Sequence, residues 1–478
     1  MQDIISWGRE FNPGSKPWLL LGKGPTFQKI KSVDLTPYFV CSLNHVVREL
    51  PVTLAHIIDI DVVADCADAI DRNARFLAVP YRPHFQNSPC EKTIEDCIHE
   101  IPILKKLNDE NRLIWYNLSS SPAREGSPVI KAKFFSAEAA LNLLVAAGVK
   151  VVRSLGIDGG RTYSRAFDDL RDKTLLANGH QSFDKQFKGI CETIRKSGVF
   201  YAPLHVKAPI RVFVGSDSAQ IMGLKMLEYS IKKHTPMSVE VRLIDDRDVP
   251  VPRDPRSRSR SGFSFSRFKI PALCGYKGRG IYMDADMQVF TDLGQLWTWP
   301  MEGIDIAYCE QPPERNRPPQ YSVMLMNCAE LPWKVGEVVD GLDQERYTYE
   351  QLLGSMCIVP PERTKMALPS EWNSLEYYEE DKTCLLHYTD MPTQPWVSNA
   401  NPLAHLWYRI LNESVQEGFI RVSDIHDEIR AGHVSPELPR WAGLPDPENV
   451  EQLMKDWIPP FRRFSPKPAA VPELQNRG

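Results

Sequence analysis

The feature that most constrains this fold is a series of short, continuously apolar runs in the first eighty residues. They lie at residues 17–22 (PWLLLG), 38–44 (YFVCSLN), 54–63 (LAHIIDIDVV) and 75–80 (RFLAVP). Continuous rather than alternating apolarity is typical of parallel strands that are buried on both faces. A helix-like segment and a further strand follow within residues 136–160. Strands that alternate with helices predict an α/β domain with a parallel sheet.

A second unit of strands and helices follows residue 205. Residues 201–210 (YAPLHVKAPI) contain two prolines and are predicted to be a linker. The chain then shows a β-branched strand, a polar turn, an amphipathic helix and another strand, which is typical of a βαβ unit. We therefore predict one α/β domain over 1–205, a second over 206–465 and a disordered, proline-rich tail over 466–478.

Arginines alternate with serines in residues 250–262 (PVPRDPRSRSRSG), where prolines disfavour regular structure. This segment is predicted to be a mobile loop. Two interpretations stay open. It is either a solvated surface loop, which is common, or a lid whose arginines approach phosphates, which guanidinium groups bind well.

The composition excludes several classes of protein. The formal net charge is −4, from 57 basic and 61 acidic residues, so no nucleic-acid partner is expected. No apolar run is long enough to span a membrane, and the first residues lack the pattern of a secretory signal. The ten cysteines are scattered without a CxxC pair, which is typical of reduced thiols. We expect a cytoplasmic protein with at most peripheral membrane contact through residues 457–464 (WIPPFRRF).

Two carboxylates, Asp284 and Asp286, interrupt the apolar stretch of residues 279–293 (RGIYMDADMQVFTDL). Carboxylates at i and i+2 of an extended segment point to the same side, where they repel each other and are costly to bury. A divalent cation relieves this repulsion, and hard carboxylate oxygens select Mg²⁺ or Mn²⁺. Such a metal can hold a diphosphate and offset charge on a leaving group. The spacing alone leaves a metal site and an acidic turn as equal alternatives.

The segment from about residue 210 to residue 396 resembles glycosyltransferase family 8, a group of retaining enzymes with the GT-A fold. The resemblance is carried by blocks in the family's order, at 212–220 (VFVGSDSAQ), 263–273 (FSFSRFKIPAL), 280–290 (GIYMDADMQVF), 321–331 (YSVMLMNCAEL), 349–356 (YEQLLGSM) and 385–396 (LLHYTDMPTQPW). It implies a GT-A domain that binds a UDP-sugar and Mn²⁺, or Mg²⁺. The residues that it assigns to donor binding are Gly215, Ser216, Asp217, Arg267, Asp284, Ala285, Asp286, Asn327 and Gln394.

The same resemblance implies roles for residues nearer the chemistry. His387 would join the two aspartates as the third metal ligand. Gln351 would lie beside the anomeric carbon, and Glu350 is the alternative candidate, as a nucleophile or as a group that orients sugar hydroxyls. Asn373 either lines the pocket or forms a surface turn.

Two blocks depart from the family pattern. Gln394 occupies the position of a lysine that contacts the donor phosphate, so phosphate binding is expected to depend on Arg267, the metal or the arginine loop. Residues 321–323 (YSV) replace the family's usual Asn-x-Gly, so the identity of the sugar does not carry over.

The first domain resembles bacterial sialyltransferases of family 42. The resembling segments are at 19–27 (LLLGKGPTF), 41–47 (CSLNHVV), 136–160 and 179–184 (GHQSFD). The site residues that this implies are Gly22, Gly24, Asn44, Asp158 and, as catalytic base, His180. Lys23 replaces the usual asparagine, which puts a CMP-sugar donor in doubt. The domain is a second transferase, a nucleotide-binding relic, or a module for acceptor binding and assembly.

These inferences predict a two-domain glycosyltransferase. It would move a hexose from a UDP-sugar to a glycan, lipid-linked or other carbohydrate acceptor, with retention of configuration. A different class also fits, namely a nucleotide-sugar or carbohydrate-binding module that has no transfer activity.

Overall fold

The computed structural model describes residues 1–171, 179–244, 248–257, 264–310 and 321–463. The chain forms two compact units. Unit 1 comprises residues 1–210 and 232–240, and unit 2 comprises residues 211–231 and the chain from residue 241. Part of the arginine-rich loop of residues 250–262 and all of the predicted tail of residues 466–478 lie outside the described residues. Among the residues that are described, no helix is both long and apolar enough to cross a lipid bilayer.

Unit 1 is built on a parallel sheet. Its strands are β1 (Gln2–Asp3), β2 (Trp18–Leu21), β3 (Phe39–Leu43), β4 (Val52–His56), β5 (Ala74–Pro80), β6 (His84–Phe85), β7 (Ser88–Pro89), β8 (Leu113–Leu118), β9 (Val129–Ile130), β10 (Val151–Leu155) and β11 (Phe200–Pro203). The main sheet has the order β1-β8-β5-β4-β3-β2-β10-β11, with β9 beside β8, while β6 and β7 form a separate hairpin.

Helices cover both faces of this sheet. They are α1 (Ile4–Phe11), α2 (Ile60–Asp65), α3 (Ala67–Asn73), α4 (Ile94–Glu100), α5 (Pro102–Asp109), α6 (Ser136–Ala146) and α7 (Gln186–Ser197). Alternate residues of β2 enter opposite cores: Leu19 and Leu21 belong to one cluster, Trp18 and Leu20 to the other. The continuous apolarity of β2 therefore has the predicted cause, which is burial on both faces.

Unit 2 contains a mixed sheet and a small second sheet. The strands are β12 (Ile210–Gly215), β13 (Val239–Ile244), β14 (Arg279–Asp284), β15 (Met287–Val289), β16 (Ile306–Cys309), β17 (Val323–Asn327), β18 (Thr364–Leu368), β19 (Ser374–Leu375) and β20 (Leu385–His387). The larger sheet has the order β13-β12-β14-β17-β16-β18, and the smaller has the order β15-β20-β19. Strand β12 is parallel to β14, whereas β17 is antiparallel to it.

The remaining helices belong mainly to unit 2. They are α8 (Ile221–His234), α9 (Ile270–Leu273), α10 (Gly294–Trp297), α11 (Val335–Asp343), α12 (Tyr349–Ser355), α13 (Ala404–Gln416), α14 (Val422–Arg430), α15 (Leu438–Trp441), α16 (Val450–Asp456) and α17 (Pro460–Arg463). The predicted α/β class with a parallel sheet is confirmed.

Two local predictions are wrong. The apolar run 54–63 is not one strand, because β4 ends at His56 and α2 begins at Ile60. Asp61 in the first turn of α2 suits a helix amino terminus, where the helix dipole favours negative charge. The predicted linker 201–210 begins within β11, which pairs with β10 at the sheet edge. Proline, which has no N–H to donate to a neighbouring strand, is tolerated in β11 because this strand lies at the edge of the sheet.

Candidate active site

Strand pairing in unit 2 brings Asp284, Asp286 and His387 together. Asp284 is the last residue of β14, and Asp286 immediately precedes β15. His387 is the last residue of β20, which pairs with β15 so that Met287 lies opposite His387. One ligand atom from each of the three side chains lies within 4.8 Å of the others.

Tyr282 and Arg267 surround the carboxylate of Asp284. The Tyr282 hydroxyl donates to Oδ1 of Asp284 at 2.6 Å, and Nη2 of Arg267 donates to the same hydroxyl at 3.1 Å. The guanidinium lies over the Tyr282 ring, 4.4 Å from its centroid, and its Nη2 is 4.0 Å from Oδ1 of Asp284. Arg267 also donates to the carbonyls of Ser264 and Tyr321, at 3.1 Å each. These hydrogen bonds hold the Arg267 guanidinium beside Asp284.

Asp286 lies between His387 and Gln394. Nε2 of His387 is 3.0 Å from Oδ1 of Asp286, an ion-pair contact. Nε2 of Gln394 donates to Oδ2 at 2.9 Å and to the carbonyl of Tyr388 at 3.2 Å. Oδ1 is buried and accepts no hydrogen bond from the described residues. A buried carboxylate oxygen whose close polar neighbour is an imidazole nitrogen is suited to a ligand that both groups share.

A second amide, Asn373, contacts the far side of the His387 ring. Its Oδ1 is 3.0 Å from Nδ1 of His387, and its Nδ2 donates to Oγ of Ser322 at 3.2 Å. Asn373 is 1% exposed, so it is not the surface turn that the sequence left open. Ser322 precedes β17, and its carbonyl accepts from the N–H of Asp284 at 3.2 Å.

The electrostatics of the cluster favour a cation. Burial raises the pKa of Asp284, nearby Arg267 opposes that rise, and the charge of Asp286 adds to it. Burial disfavours the charged form of His387, but the charges of Asp286 and Asp284 outweigh burial and raise its pKa. The two carboxylates therefore disfavour each other's charge and favour a positive charge beside them.

The residues present fit a divalent metal. Carboxylate oxygens and one imidazole nitrogen are a donor set that Mn²⁺ or Mg²⁺ accepts. The buried Oδ1 of Asp286, which accepts no hydrogen bond from the described residues, is the atom that such an ion would satisfy. Asp284, Asp286 and His387 are therefore the candidate ligands of such an ion.

The predicted nucleotide turn lies at the end of β12, beside the aspartates. Gly215 is aligned with Asp284 in the parallel pair of β12 and β14. Oγ of Ser216 donates to the carbonyl of Asp217 at 3.0 Å, and Oδ1 of Asp217 accepts from the N–H of Ala219 at 2.9 Å. These bonds fix the shape of the turn.

Ala285, between the two aspartates, is fully buried. Its carbonyl lies close to Gly223 of α8, where an added Cβ would be 2.9 Å from that oxygen. The same Cβ would lie 3.1 Å from the ring of Trp396. Gly223 thus allows the helix to approach the Asp-Ala-Asp segment, a role that the sequence did not reveal.

Three predicted residues do not join this cluster. Asn327 is opposite Arg279, at the start of β14, because β17 runs antiparallel to β14. The cluster lies at the other end of β14, so the placement of Asn327 beside the donor is corrected. Glu350 and Gln351 are exposed on α12, and the side chain of Gln351 accepts from the N–H of Thr348 in a capping box.

Unit 1 holds a cavity of about 770 Å³ at the carboxyl ends of its central strands. All five residues predicted for the N-terminal site line it: Gly22, Gly24, Asn44, Asp158 and His180. Strand order places β2 between neighbours that lead in opposite directions along the sheet. In open α/β sheets such a switch point is where ligands bind.

The glycines and Asp158 also contact one another within the cavity wall. A Cβ on Gly22 would lie 2.3 Å from the carbonyl oxygen of Gly156, and one on Gly24 would lie 2.6 Å from Oδ2 of Asp158. The Asp158 carboxylate accepts from the N–H of Thr26 at 2.7 Å and from its hydroxyl at 2.8 Å. These residues therefore hold the turn that follows β2 against the turn that follows β10.

Other cavity residues have more obvious chemistry. Lys23 lies 4.5 Å from the ring centroid of Tyr163, and burial lowers the pKa of Lys23 to about 8. Burial also raises the pKa of Asp59, another lining residue, to about 6. The His180 ring packs against the Phe135 ring at a tilt of 56°, with ring centroids 5.2 Å apart. Asn44 has a left-handed backbone, φ 50°, which is uncommon outside glycine.

Sequence reasoning missed several of these partners. Tyr282 precedes Asp284 by two residues on one strand, so the strand period placed both side chains on the same face. Thr26 lies two residues after Gly24 in the sequence. By contrast, no local pattern signals Ser322 as a partner of Asn373, because their contact depends on tertiary packing.

Comparison with known proteins gives partial matches. No family model matches the chain. Protein CDI of Arabidopsis thaliana is 31% identical over 94 residues, which is 19% of this chain and 36% of that protein. Galactinol synthase 10 of Arabidopsis thaliana is 26% identical over 160 residues, 28% of this chain and 47% of that protein. The chain thus spans between a third and a half of the length of these relatives.

Solved structures with similar regions include glycosyltransferases. The galactosyltransferase LgtC, with donor and acceptor sugar analogs, has a TM-score of 0.35 at 12% identity, covering 46% of this chain and all of that one. The bifunctional glycosyltransferase WbbM has a TM-score of 0.34 at 13% identity, covering 70% and 64%. The sialyltransferase Cst-II Y81F with CMP has a TM-score of 0.24 at 11% identity, covering 40% and 81%. Likeness at this level does not establish a shared function.

Proposed function

We propose that unit 2 is a metal-dependent glycosyltransferase that moves a hexose from a UDP-sugar to a glycan or related acceptor, with retention of configuration. The observation that carries this proposal is the convergence of Asp284, Asp286 and His387, with a buried Asp286 oxygen that accepts no hydrogen bond from the described residues. The family 8 resemblance of the blocks around these residues supports a UDP-sugar donor. The relative named galactinol synthase 10 supports glycosyl transfer in general.

The residues around the cluster have distinct tasks in this proposal. A bound Mn²⁺ or Mg²⁺ would neutralise the diphosphate and stabilise negative charge on the departing nucleotide. Asp284, Asp286 and His387 hold that ion. Arg267, fixed against Tyr282, supplies a permanent positive charge beside Asp284. The turn at Gly215–Asp217 is positioned to receive the nucleotide.

The chemistry at the sugar is a further part of the proposal. Gln351 would face the anomeric carbon, with Glu350 as the alternative. Both are exposed, and the Gln351 side chain caps α12. This role requires Gln351 to leave its bond to Thr348 when substrates bind. Retention would then result from departure and attack on one face of the sugar.

The direct test is UDP release in the presence of Mn²⁺, screened across common UDP-sugars. Asp286→Ala should abolish metal-dependent turnover, and Asp286→Asn, which keeps the shape but loses the charge, should lose most of it. EDTA should abolish wild-type turnover. Full activity in EDTA would refute the metal role.

Binding measurements separate this proposal from its main alternative, a nucleotide-sugar or carbohydrate-binding module. Calorimetric titration of UDP with Mn²⁺ is made alongside the release assay. Binding without UDP release, across the donors and with glycan acceptors, would favour the module.

The cavity of unit 1 favours a second candidate function. Its volume of about 770 Å³ is enough for a nucleotide-sugar, and His180 and Lys23 line it. We propose a second transferase site there, with a nucleotide-binding relic and an acceptor-binding module as the competing possibilities. Full activity of both His180→Ala and Asp158→Ala on the native acceptor would argue against an active site in unit 1.

A further inference from the structure

Two buried amides of unit 2, Asn373 and Gln394, contact the candidate ligands His387 and Asp286. Asn373 is 1% exposed and Gln394 is 3% exposed. A buried amide is costly unless its oxygen and nitrogen are paired, so the bonds that each makes restrict its orientation.

The orientation of Asn373 determines the tautomer of His387. Its Nδ2 donates to Oγ of Ser322 at 3.2 Å, which leaves Oδ1 facing Nδ1 of the imidazole at 3.0 Å. A carbonyl-type oxygen only accepts, so Nδ1 must carry the hydrogen. In the neutral ring the lone pair is then on Nε2, the atom 3.0 Å from Asp286.

The orientation of Gln394 determines which oxygen of Asp286 is available. Its Nε2 donates to Oδ2 at 2.9 Å and to the backbone carbonyl of Tyr388 at 3.2 Å. The second bond ties the amide to the backbone that follows β20. Oδ2 is thus occupied by the amide, while Oδ1 faces Nε2 of His387.

These bonds leave Nε2 of His387 and Oδ1 of Asp286 facing each other, 3.0 Å apart. A proton on Nε2 joins the two atoms as an ion pair, and once that proton leaves, both present a lone pair to one cation. Partners of this kind orient a ligand before the metal arrives, and losing one typically costs about 10- to 100-fold in metal affinity.

We propose that Asn373 and Gln394 are positioning residues that prepare His387 and Asp286 for a divalent cation, with Ser322 fixing the orientation of Asn373. This inference rests on the proposed function of the site. It also gives Gln394 a task other than the phosphate contact that its position in the sequence suggests, because its amide group is directed at Asp286.

The experiment measures Mn²⁺ affinity of the full chain, with and without UDP, from the electron paramagnetic resonance signal of free Mn²⁺. Asn373→Ala and Gln394→Ala should each weaken Mn²⁺ binding by about 10- to 100-fold. Ser322→Ala should have a smaller effect. Asn373→Asp keeps an acceptor for Nδ1 of His387 and should restore most of the affinity.

Asn412→Ala is the matched control. Asn412, on helix α13 of the same unit, donates to the carbonyl of Ala442 at 2.9 Å. Its replacement by alanine should leave Mn²⁺ affinity unchanged. Thermal unfolding in EDTA identifies any variant that does not fold, and Asn373→Asp and Ser322→Ala then carry the test.

Two outcomes are distinguishable. If the wild type binds Mn²⁺ and Asn373→Ala and Gln394→Ala bind it equally well, the positioning role is overturned while the metal site stands. If the wild type binds no Mn²⁺ with or without UDP, the proposed metal-dependent function fails and this inference fails with it.

Discussion

At the scale of single residues, Asp158 shows how a predicted site residue can serve the fold. Its carboxylate accepts from both the N–H and the hydroxyl of Thr26. Asp158→Ala leaves two donors without their partner and should lower the free energy of unfolding by about 1–3 kcal/mol. Chemical denaturation of the full chain measures this loss, read from the transition of unit 1.

Asp158→Asn provides the control. The amide oxygen still accepts from Thr26, so this variant should retain most of the stability that Asp158→Ala loses. If both variants were as stable as the wild type, the Thr26 contact would contribute nothing to the free energy of unfolding. The location of Asp158 at the cavity followed from the sequence, but its partner did not, because the contact joins segments far apart in the chain.

At the scale of elements, the approach of α8 to the Asp-Ala-Asp segment depends on Gly223. An added methyl group would meet the Ala285 carbonyl, which is backbone and has little freedom to move. Gly223→Ala should therefore destabilise unit 2 by about 1–3 kcal/mol, the usual cost of overpacking, and weaken Mn²⁺ binding. Thermal unfolding and metal titration measure the two effects.

Gly336→Ala is the matched control for this prediction. Gly336 is also helical, on α11, and an added Cβ there meets no atom within 4 Å. It should be neutral or slightly stabilising, because alanine favours helix more than glycine does. Equal effects of Gly223→Ala and Gly336→Ala would show that the close approach to Ala285 carries no cost.

The elements also show what the sequence could predict. Apolar runs predicted strands where β2, β3 and β5 lie, because burial on both faces leaves a signal in the local sequence. The direction of β17 leaves no such signal, and it puts Asn327 at the opposite end of β14 from Asp284. Likewise β20 has three residues, and only its pairing with β15 brings His387 to Asp286.

At the scale of the whole molecule, the two candidate sites belong to different units. The cluster of Asp284, Asp286 and His387 lies in unit 2, and every residue lining the 770 Å³ cavity lies in unit 1. Because no residue is shared, changes in one site should leave ligand binding at the other unchanged. Asp286→Ala should lose Mn²⁺-dependent UDP binding and keep any binding of CMP.

His180→Ala should show the opposite pattern, with UDP and Mn²⁺ binding intact. Calorimetric titrations of each variant with both nucleotides make the comparison. A loss of UDP binding in His180→Ala, with unchanged thermal stability, would contradict independent sites. The sequence blocks predict both candidate sites. They do not predict the side-chain contacts within them, because contacts such as that of Thr26 with Asp158 join segments far apart in the chain.

The pairing of β15 with β20 has a consequence for the folding of unit 2. It brings together Asp286 and His387, which are about 100 residues apart in the chain. A cation bound to both side chains would act as a reversible crosslink. It would close a long loop and lower the conformational entropy of the unfolded chain. Chelation would then speed amide hydrogen exchange throughout this small sheet. The amide hydrogen-exchange rates of this sheet would therefore show whether the ion is bound, independently of any sugar transfer.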